Sequence, residues 1–261
     1  MPIDLGKTAA DYSRHRAGFP DRFFDRLFEK GLARVGNRVL DVGTGTGTIA
    51  RGLALRGLNA TGLDPSHELM EKAARLDRLA GVEVEYVVAR IEDHARNPSL
   101  DAASFDLITA GQCWHWFERD KAAMGAHRLL ISGGRLVIAH FDWVPLPGNV
   151  AAATERLVGR YNPAWFDNAA GGNGLYPVWL RDVAEAGFTN VATESFDVDT
   201  SYSHPGWRGR IRACAGVGAS LDPATVEAFD TDLEEMLAKD FPQEPLAIQH
   251  RVFILSCRKP G

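Results

Sequence analysis

One segment constrains the fold of this chain more than any other: Val39-Leu40-Asp41-Val42-Gly43-Thr44-Gly45-Thr46-Gly47-Thr48. A short apolar run leads straight into three glycines at alternate positions, and Ile49-Ala50 then opens a helical pattern. Glycine lets the backbone turn sharply and come close to a ligand, where a Cβ would collide. The helix beyond such a turn points its unpaired N–H groups at whatever rests there. Strand, glycine turn and helix in this order describe a cradle.

The glycine spacing separates two kinds of cradle. A dinucleotide turn reads G-x-G-x-x-G, with the third glycine serving helix–strand packing. Here the spacing is G-x-G-x-G, and Asp41 stands two residues before the first glycine. Seventeen residues after Gly47, Asp64 follows a second apolar run, Ala60-Thr61-Gly62-Leu63, and Pro65 comes next. An acidic residue at that place accepts hydrogen bonds from ribose hydroxyls; its alternative use is to cap a helix. Asp41, Gly43, Thr44, Gly45, Gly47, Asp64 and Pro65 together read as a half-site for an adenosine.

The alternation continues along the chain. Strands are expected at Val39–Val42, Ala60–Leu63, Val82–Ala89, Phe105–Ala110 and Arg135–Phe141, with Gly133-Gly134 turning into the fifth. Helices are expected over Thr48–Arg56, from the cap Ser66 to Gly81, and over Asp120–Leu130. Strands alternating with helices predict an α/β fold, a doubly wound three-layer sandwich with a mostly parallel sheet. The pattern breaks in the segments 145–177 and 203–220, which read as insertions. A loop this long without structure of its own is uncommon unless functional. A helix from Val178, a strand over Val191–Val198, a helix started by Asp222-Pro223 and a last strand over Ile248–Cys257 complete the chain.

Taken in order, these motifs resemble the class I S-adenosylmethionine-dependent methyltransferases. The resemblance rests on Leu40–Gly47, Leu63-Asp64-Pro65-Ser66, Ala89-Arg90-Ile91-Glu92-Asp93, Ser104–Gln112 and Leu130–Leu136. It is strongest over residues 38–141 and closest to the small-molecule branch that holds ubiquinone/menaquinone and trans-aconitate methyltransferases. Ser132 departs from the proline usual before the paired glycines. The resemblance implies a single domain over 1–261 and a seven-stranded sheet of order 3-2-1-4-5-7-6, its last strand antiparallel. It implies S-adenosyl-L-methionine as cofactor and methyl transfer to an O, N or C nucleophile of a small molecule. In that likeness residues 1–37 form an N-terminal lid, where Tyr12 and Arg16 approach the methionine carboxylate. A backbone N–H at Ile91 meets the adenine ring, and Glu92 or Asp93 meets its amine. The insertions 145–177 and 203–220 cover the acceptor. A non-catalytic cofactor-binding module is the alternative, and a nicotinamide oxidoreductase a more distant one.

The heptad Gly111-Gln112-Cys113-Trp114-His115-Trp116-Phe117 follows the fourth strand. Strand ends of this kind carry ligands in open α/β sheets. Carbonyls of Gly111 and Gln112 are placed to hold the methionine ammonium. Trp114 and Trp116 are expected to wall the transfer pocket, since a sulfonium is attracted to aromatic faces, or else to join the core. His115 is the candidate general base, titrating in the right range; a hydrogen-bonding role is its alternative. The Asn/Asp-Pro-Pro-Tyr tetrad of amino-group methylation on nucleic-acid adenine is absent here. In the second insertion Trp207 and Arg208 form a candidate acceptor site, and ion pairing is the other use of Arg208.

Composition excludes several classes. Among 261 residues, 29 Lys and Arg meet 34 Asp and Glu, leaving a formal charge of −5. That balance argues against nucleic acid as partner. No apolar run reaches the roughly 20 residues a membrane helix needs, and no basic-then-apolar leader opens the chain. Cys113, Cys214 and Cys257 form neither a C-x-x-C pair nor a disulfide framework, as suits the cytoplasm. No cluster has metal-ligand spacing, so no metal is expected. A monomer or a homodimer is expected.

Overall fold

The computed structural model describes residues 18–93, 100–165 and 175–261. These fall into two compact units. One lies within Gly18–Phe141, Tyr176–Phe196 and Val252–Gly261, the other within Asp142–Leu175 and Asp197–Arg251.

The first unit carries the glycine turn. Helix α1 (Asp21–Glu29) buries Phe23, Phe24 and Leu27 on one face. Strand β1 (Arg38–Val42) is buried along almost its whole length, as a strand covered on both faces must be. Helix α2 (Thr48–Ala54), strand β2 (Asn59–Asp64) and helix α3 (His67–Ala80) follow. Local chemistry sets the ends of α3. The Ser66 side chain accepts a hydrogen bond from the Leu69 N–H at 3.3 Å, and Gly81 stops the helix at φ +71°. Strands β3 (Glu85–Val88) and β4 (Phe105–Gly111), helix α4 (Arg119–Leu129) and strand β5 (Leu130–Trp143) continue the alternation. Helix α6 (Val178–Glu185) also belongs here; α5 is described below.

Strand β6 (Thr189–Tyr202) and strand β7 (Leu246–Arg258) complete a seven-stranded sheet of order β3-β2-β1-β4-β5-β7-β6. The pairs β1–β2, β1–β4, β2–β3 and β4–β5 are parallel. Backbone bonds join Gly133 to Lys259 and Val144 to Gln249, so partner numbers fall as β5 advances and β7 runs antiparallel to it. Strand β5 begins at Leu130, earlier than the expected Arg135. Phe105 pairs with Leu130 but Leu107 pairs with Arg135, so the Gly133-Gly134 turn survives as an irregularity inside the strand. Gly133 takes it up at φ +77°. The core joins Leu40, Val42, Ile108, Leu136 and Ile138 of the strands to Trp114, Trp179 and Val183.

The second unit has a core of its own. It contains helices α5 (Val150–Tyr161), α7 (His204–Arg212) and α8 (Pro223–Asp240). Asn149 caps α5 by accepting from the Ala152 N–H at 2.8 Å. Asp222 caps α8 by accepting from the Ala224 and Thr225 N–H groups, both at 3.1 Å, with Pro223 at the first turn. Trp207, Ile211, Phe229, Leu233 and Leu237 pack between these helices. The expected insertions 145–177 and 203–220 supply α5 and α7 to this unit. No helix of the described residues is long and apolar enough to cross a membrane.

Candidate functional site

Sheet register brings the site together. Val42 pairs with Leu63, so Gly43 stands level with Asp64. Asp41 pairs with Thr109, so Gly43 also stands level with Gly111. Asp64 in turn pairs with Val88, and β3 leads into the single turn Ile91–Asp93. The three segments singled out in the sequence thus meet at the carboxyl ends of adjacent parallel strands.

The turn itself needs its glycines. Gly43, Gly45 and Gly47 have φ of +63°, +54° and +75°. A Cβ on Gly43 would lie 2.8 Å from the Cys113 side chain, and one on Gly47 would strike the Tyr86 hydroxyl. Gly45 differs: a Cβ there would meet nothing within 4 Å. Its backbone faces open space at the strand tips, and its N–H donates to Asp64 Oδ2 at 2.9 Å. Asp64 Oδ1 accepts from the Ser66 N–H at 2.8 Å. Each carboxylate oxygen keeps acceptor capacity beyond these bonds, so the carboxylate is pinned by backbone donors and still able to receive two hydroxyls. An open, left-handed glycine turn beside a pinned carboxylate fits the ribose and amino-acid portion of S-adenosylmethionine.

Other residues brace this arrangement from beneath. Asp41 is buried and accepts from the Thr44 and Thr109 hydroxyls, each at 2.7 Å. Burial pushes its carboxyl up to about 6, opposed by those two hydroxyl bonds. Thr44, with its side chain on Asp41 and its N–H on the Leu63 carbonyl at 3.1 Å, belongs to the same brace. Asp41 and Thr44, expected among the cofactor contacts, thus spend their side chains on the turn. On the far side Asp77 accepts from Arg51 at 2.9 Å and from the Tyr86 hydroxyl at 2.7 Å. Arg51 also donates to the Thr46 carbonyl at 3.2 Å. Burial, then the Asp77 carboxylate, raise the Tyr86 phenol above its usual range. Sequence reading passed over this clamp, because its members lie on separate elements.

The remaining expected contacts are distributed as follows. Pro65 is exposed just beyond Asp64, and Ile91 is buried. Glu92 accepts from the Glu118 N–H at 3.2 Å, tying the turn after β3 to the start of α4. At Gly111 a Cβ would collide with Ile49. Gln112 has φ +59°, and its amide donates to the Phe141 carbonyl at 2.8 Å. Tyr12 and Arg16 lie outside the described residues.

In the heptad after β4 the two tryptophans part company. Trp114 has no exposed surface, and its indole N–H donates to Asp182 at 2.9 Å. It is a core residue, not a pocket wall, because α6 supplies an acceptor that lets the whole ring be buried. Trp116 is 48% exposed and lies 4.6 Å from the exposed His115 ring. Cys113 is buried and its thiol donates to the Val42 carbonyl at 3.1 Å. His115 Nδ1 is 3.3 Å from Nε2 of the buried His140, a residue that sequence reading missed. Its signal was a lone histidine ending the apolar run Val137-Ile138-Ala139.

Trp207 and Arg208 belong to the second unit. Trp207 is fully buried, with its N–H on the Thr154 hydroxyl at 3.0 Å. Arg208 is paired with Asp230 and Glu234 of α8. Both side chains are engaged within their unit's interior and its ion pairs, which corrects the expectation of an acceptor site. No group of three or more His, Cys, Asp or Glu that could hold a metal occurs among the described residues.

The chain is similar to known proteins. A methyltransferase-domain family profile matches residues 40–138. A ubiquinone biosynthesis O-methyltransferase of Xanthomonas axonopodis is 30% identical, over 69% of this chain and 72% of that protein. The chain belongs to the class I S-adenosylmethionine-dependent methyltransferases. An uncharacterized methyltransferase of Mycobacterium tuberculosis is 31% identical over 52% of this chain. The chain spans about half the length, 51%, of that relative. The solved structure of Haemonchus contortus phosphoethanolamine N-methyltransferase 2 with S-adenosyl-L-methionine superposes at a TM-score of 0.57. It is 18% identical over 98% of this chain and 57% of that one, and so speaks for the fold.

Proposed function

We propose that this chain transfers a methyl group from S-adenosylmethionine to an oxygen or nitrogen nucleophile of a small molecule. The open left-handed turn at Gly45 beside the pinned Asp64 carboxylate carries the reading. When bound, the cofactor supplies a methyl group on a sulfonium with a good leaving group, so the protein's task is chiefly alignment and exclusion of water. Asp64 receives the two ribose hydroxyls. The Gly43–Gly47 backbone admits the amino-acid portion at a distance that side chains would forbid. Ile91 lines the adenine. Gly111 and Gln112 present carbonyls to the ammonium group. Trp116 and His115, both exposed beyond β4, border the acceptor, and His115 takes its proton.

The name of the Xanthomonas relative favours a hydroxyl acceptor over an amine. Isothermal titration with S-adenosylhomocysteine, followed by methyl-label transfer to hydroxylated aromatic and carboxylic acids, tests the proposal. Asp64→Ala is expected to weaken titration by 10- to 100-fold, since one hydrogen bond to a charged group contributes about 1.5–3 kcal/mol. Undiminished binding by that variant would remove the basis for the reading.

A further inference from the structure

One tyrosine of the first unit fills the space that side chains at two buried glycines would need. Tyr86 of the edge strand β3 pairs with Gly62 of β2, and Gly62 pairs in turn with Asp41 of β1. A Cβ on Gly62 would lie 2.6 Å from Cε1 and 2.8 Å from Cδ1 of the Tyr86 ring. The ring thus leans across the bare backbone of β2, toward the turn that follows β1. Its hydroxyl ends against Gly47, where a Cβ would collide with that oxygen. A side chain at position 62 would block this path, and one at position 47 would displace its end.

The hydroxyl is held in place. It donates to Asp77 Oδ2 at 2.7 Å, and Asp77 Oδ1 accepts from Arg51 Nη1 at 2.9 Å. The same Arg51 nitrogen donates to the Thr46 carbonyl at 3.2 Å. Asp77 is 3% exposed, so both of its oxygens find their partners inside the protein. A buried network of this kind is rigid when every member is satisfied and loosens when one is removed. The Thr46–Gly47 peptide is held at both ends, its carbonyl by Arg51 and its N–H by the Thr44 carbonyl at 2.9 Å. These hydrogen bonds fix the plane of the peptide. The oxygen packed against Gly47 fixes how close the turn comes to the sheet, and with it where Gly45 stands beside Asp64.

We infer that Tyr86, held by Asp77 and Arg51, is a positioning residue that props the glycine turn where the Gly45 backbone and the Asp64 carboxylate receive S-adenosylmethionine together. The inference rests on the methyl-transfer reading and deepens it. All three side chains act through the backbone of the turn. Removing the hydroxyl leaves the ring on Gly62 but frees the turn to settle at other heights. The apparent affinity then falls with the share of the binding-competent conformation.

Isothermal titration of S-adenosylhomocysteine into the wild type, Tyr86→Phe, Gly47→Ala and the double variant tests this. Tyr86→Phe is expected to bind roughly 10-fold more weakly, as for a turn that holds the competent conformation about a tenth of the time. KM for S-adenosylmethionine should rise by the same factor, while kcat at saturating cofactor holds. Gly47→Ala should bind more weakly still, because the new methyl group meets the hydroxyl. In the double variant that methyl group takes the space the oxygen leaves, its nearest remaining neighbour being the Ala73 Cβ at 3.1 Å. The left-handed strain at position 47 is common to both alanine variants. The double variant is therefore expected to bind more tightly than Gly47→Ala alone. A merely structural tyrosine would lower the urea midpoint of Tyr86→Phe and leave its affinity at the wild-type value. That result would overturn the inference, as would a double variant that binds no better than Gly47→Ala. Should Gly47→Ala fail to fold, the titration and the split between KM and kcat in Tyr86→Phe decide alone. Failure of the wild type to bind S-adenosylhomocysteine would instead defeat the methyl-transfer reading.

Discussion

Asp41 offers the sharpest test of how the turn is held. Its carboxyl titrates near 6 in the fold against 3.8 in the unfolded chain, because burial penalises the charge by more than the Thr44 and Thr109 hydroxyls recover. Between those values the folded state holds the proton more tightly, so stability falls as pH rises from 3.8 through 6. A shift of about 2 units corresponds to about 3 kcal/mol at neutral pH. Roughly half of that is still to be lost between pH 5 and pH 7.5. Asp41→Asn removes the charge while keeping an acceptor for one hydroxyl, and the other hydroxyl can reverse and accept from the amide. Urea unfolding of wild type and variant at both pH values isolates the effect, since the two proteins differ at this one side chain. The variant is expected to gain on the wild type by about 1–2 kcal/mol on going from pH 5 to pH 7.5. A difference in stability that is the same at both pH values would refute the argument that Asp41 carries a destabilising buried charge.

Further outcomes follow from the same geometry. Gly45→Ala is expected to cost only about 1–2 kcal/mol of stability for its left-handed backbone, because no protein atom opposes the new methyl group. Titration with S-adenosylhomocysteine should nonetheless show affinity falling by more than that strain explains, since the methyl group occupies the cradle; retained affinity would place the ligand elsewhere. In the second unit, burial pushes His250 down to about 4, opposed by its bond to the Ile248 carbonyl. Its neutral form is the folded one, so stability is expected to drop by about 3 kcal/mol as pH falls from 6.5 to 4. His250→Gln should flatten that acid limb in denaturant titrations. Trp207→Ala is expected to destabilise by roughly 3–5 kcal/mol without altering the affinity for S-adenosylhomocysteine of the protein that remains folded, as ligand titration below the unfolding midpoint would show.

The glycine turn and the carboxylate beside it were legible because they are built from local backbone chemistry. Three glycines at alternate positions, an acidic residue after the next apolar run and a serine cap are properties of short segments, and parallel pairing of adjacent strands brings their ends level. The alternation of strands and helices declared the doubly wound sheet for the same reason. What the segments did not declare was which side chains would face ligand and which the interior. Asp41 and Thr109 are 68 residues apart, as are Trp114 and Asp182. Only the packed fold decided that the first pair braces the turn and that the second draws Trp114 into the core. Arg208 found its partners on a helix that begins 15 residues further on, and His140 joined His115 to Tyr176 across three separate segments. A polar group's role depends on the partner it meets after burial, and that partner is chosen by tertiary contacts that no single segment contains.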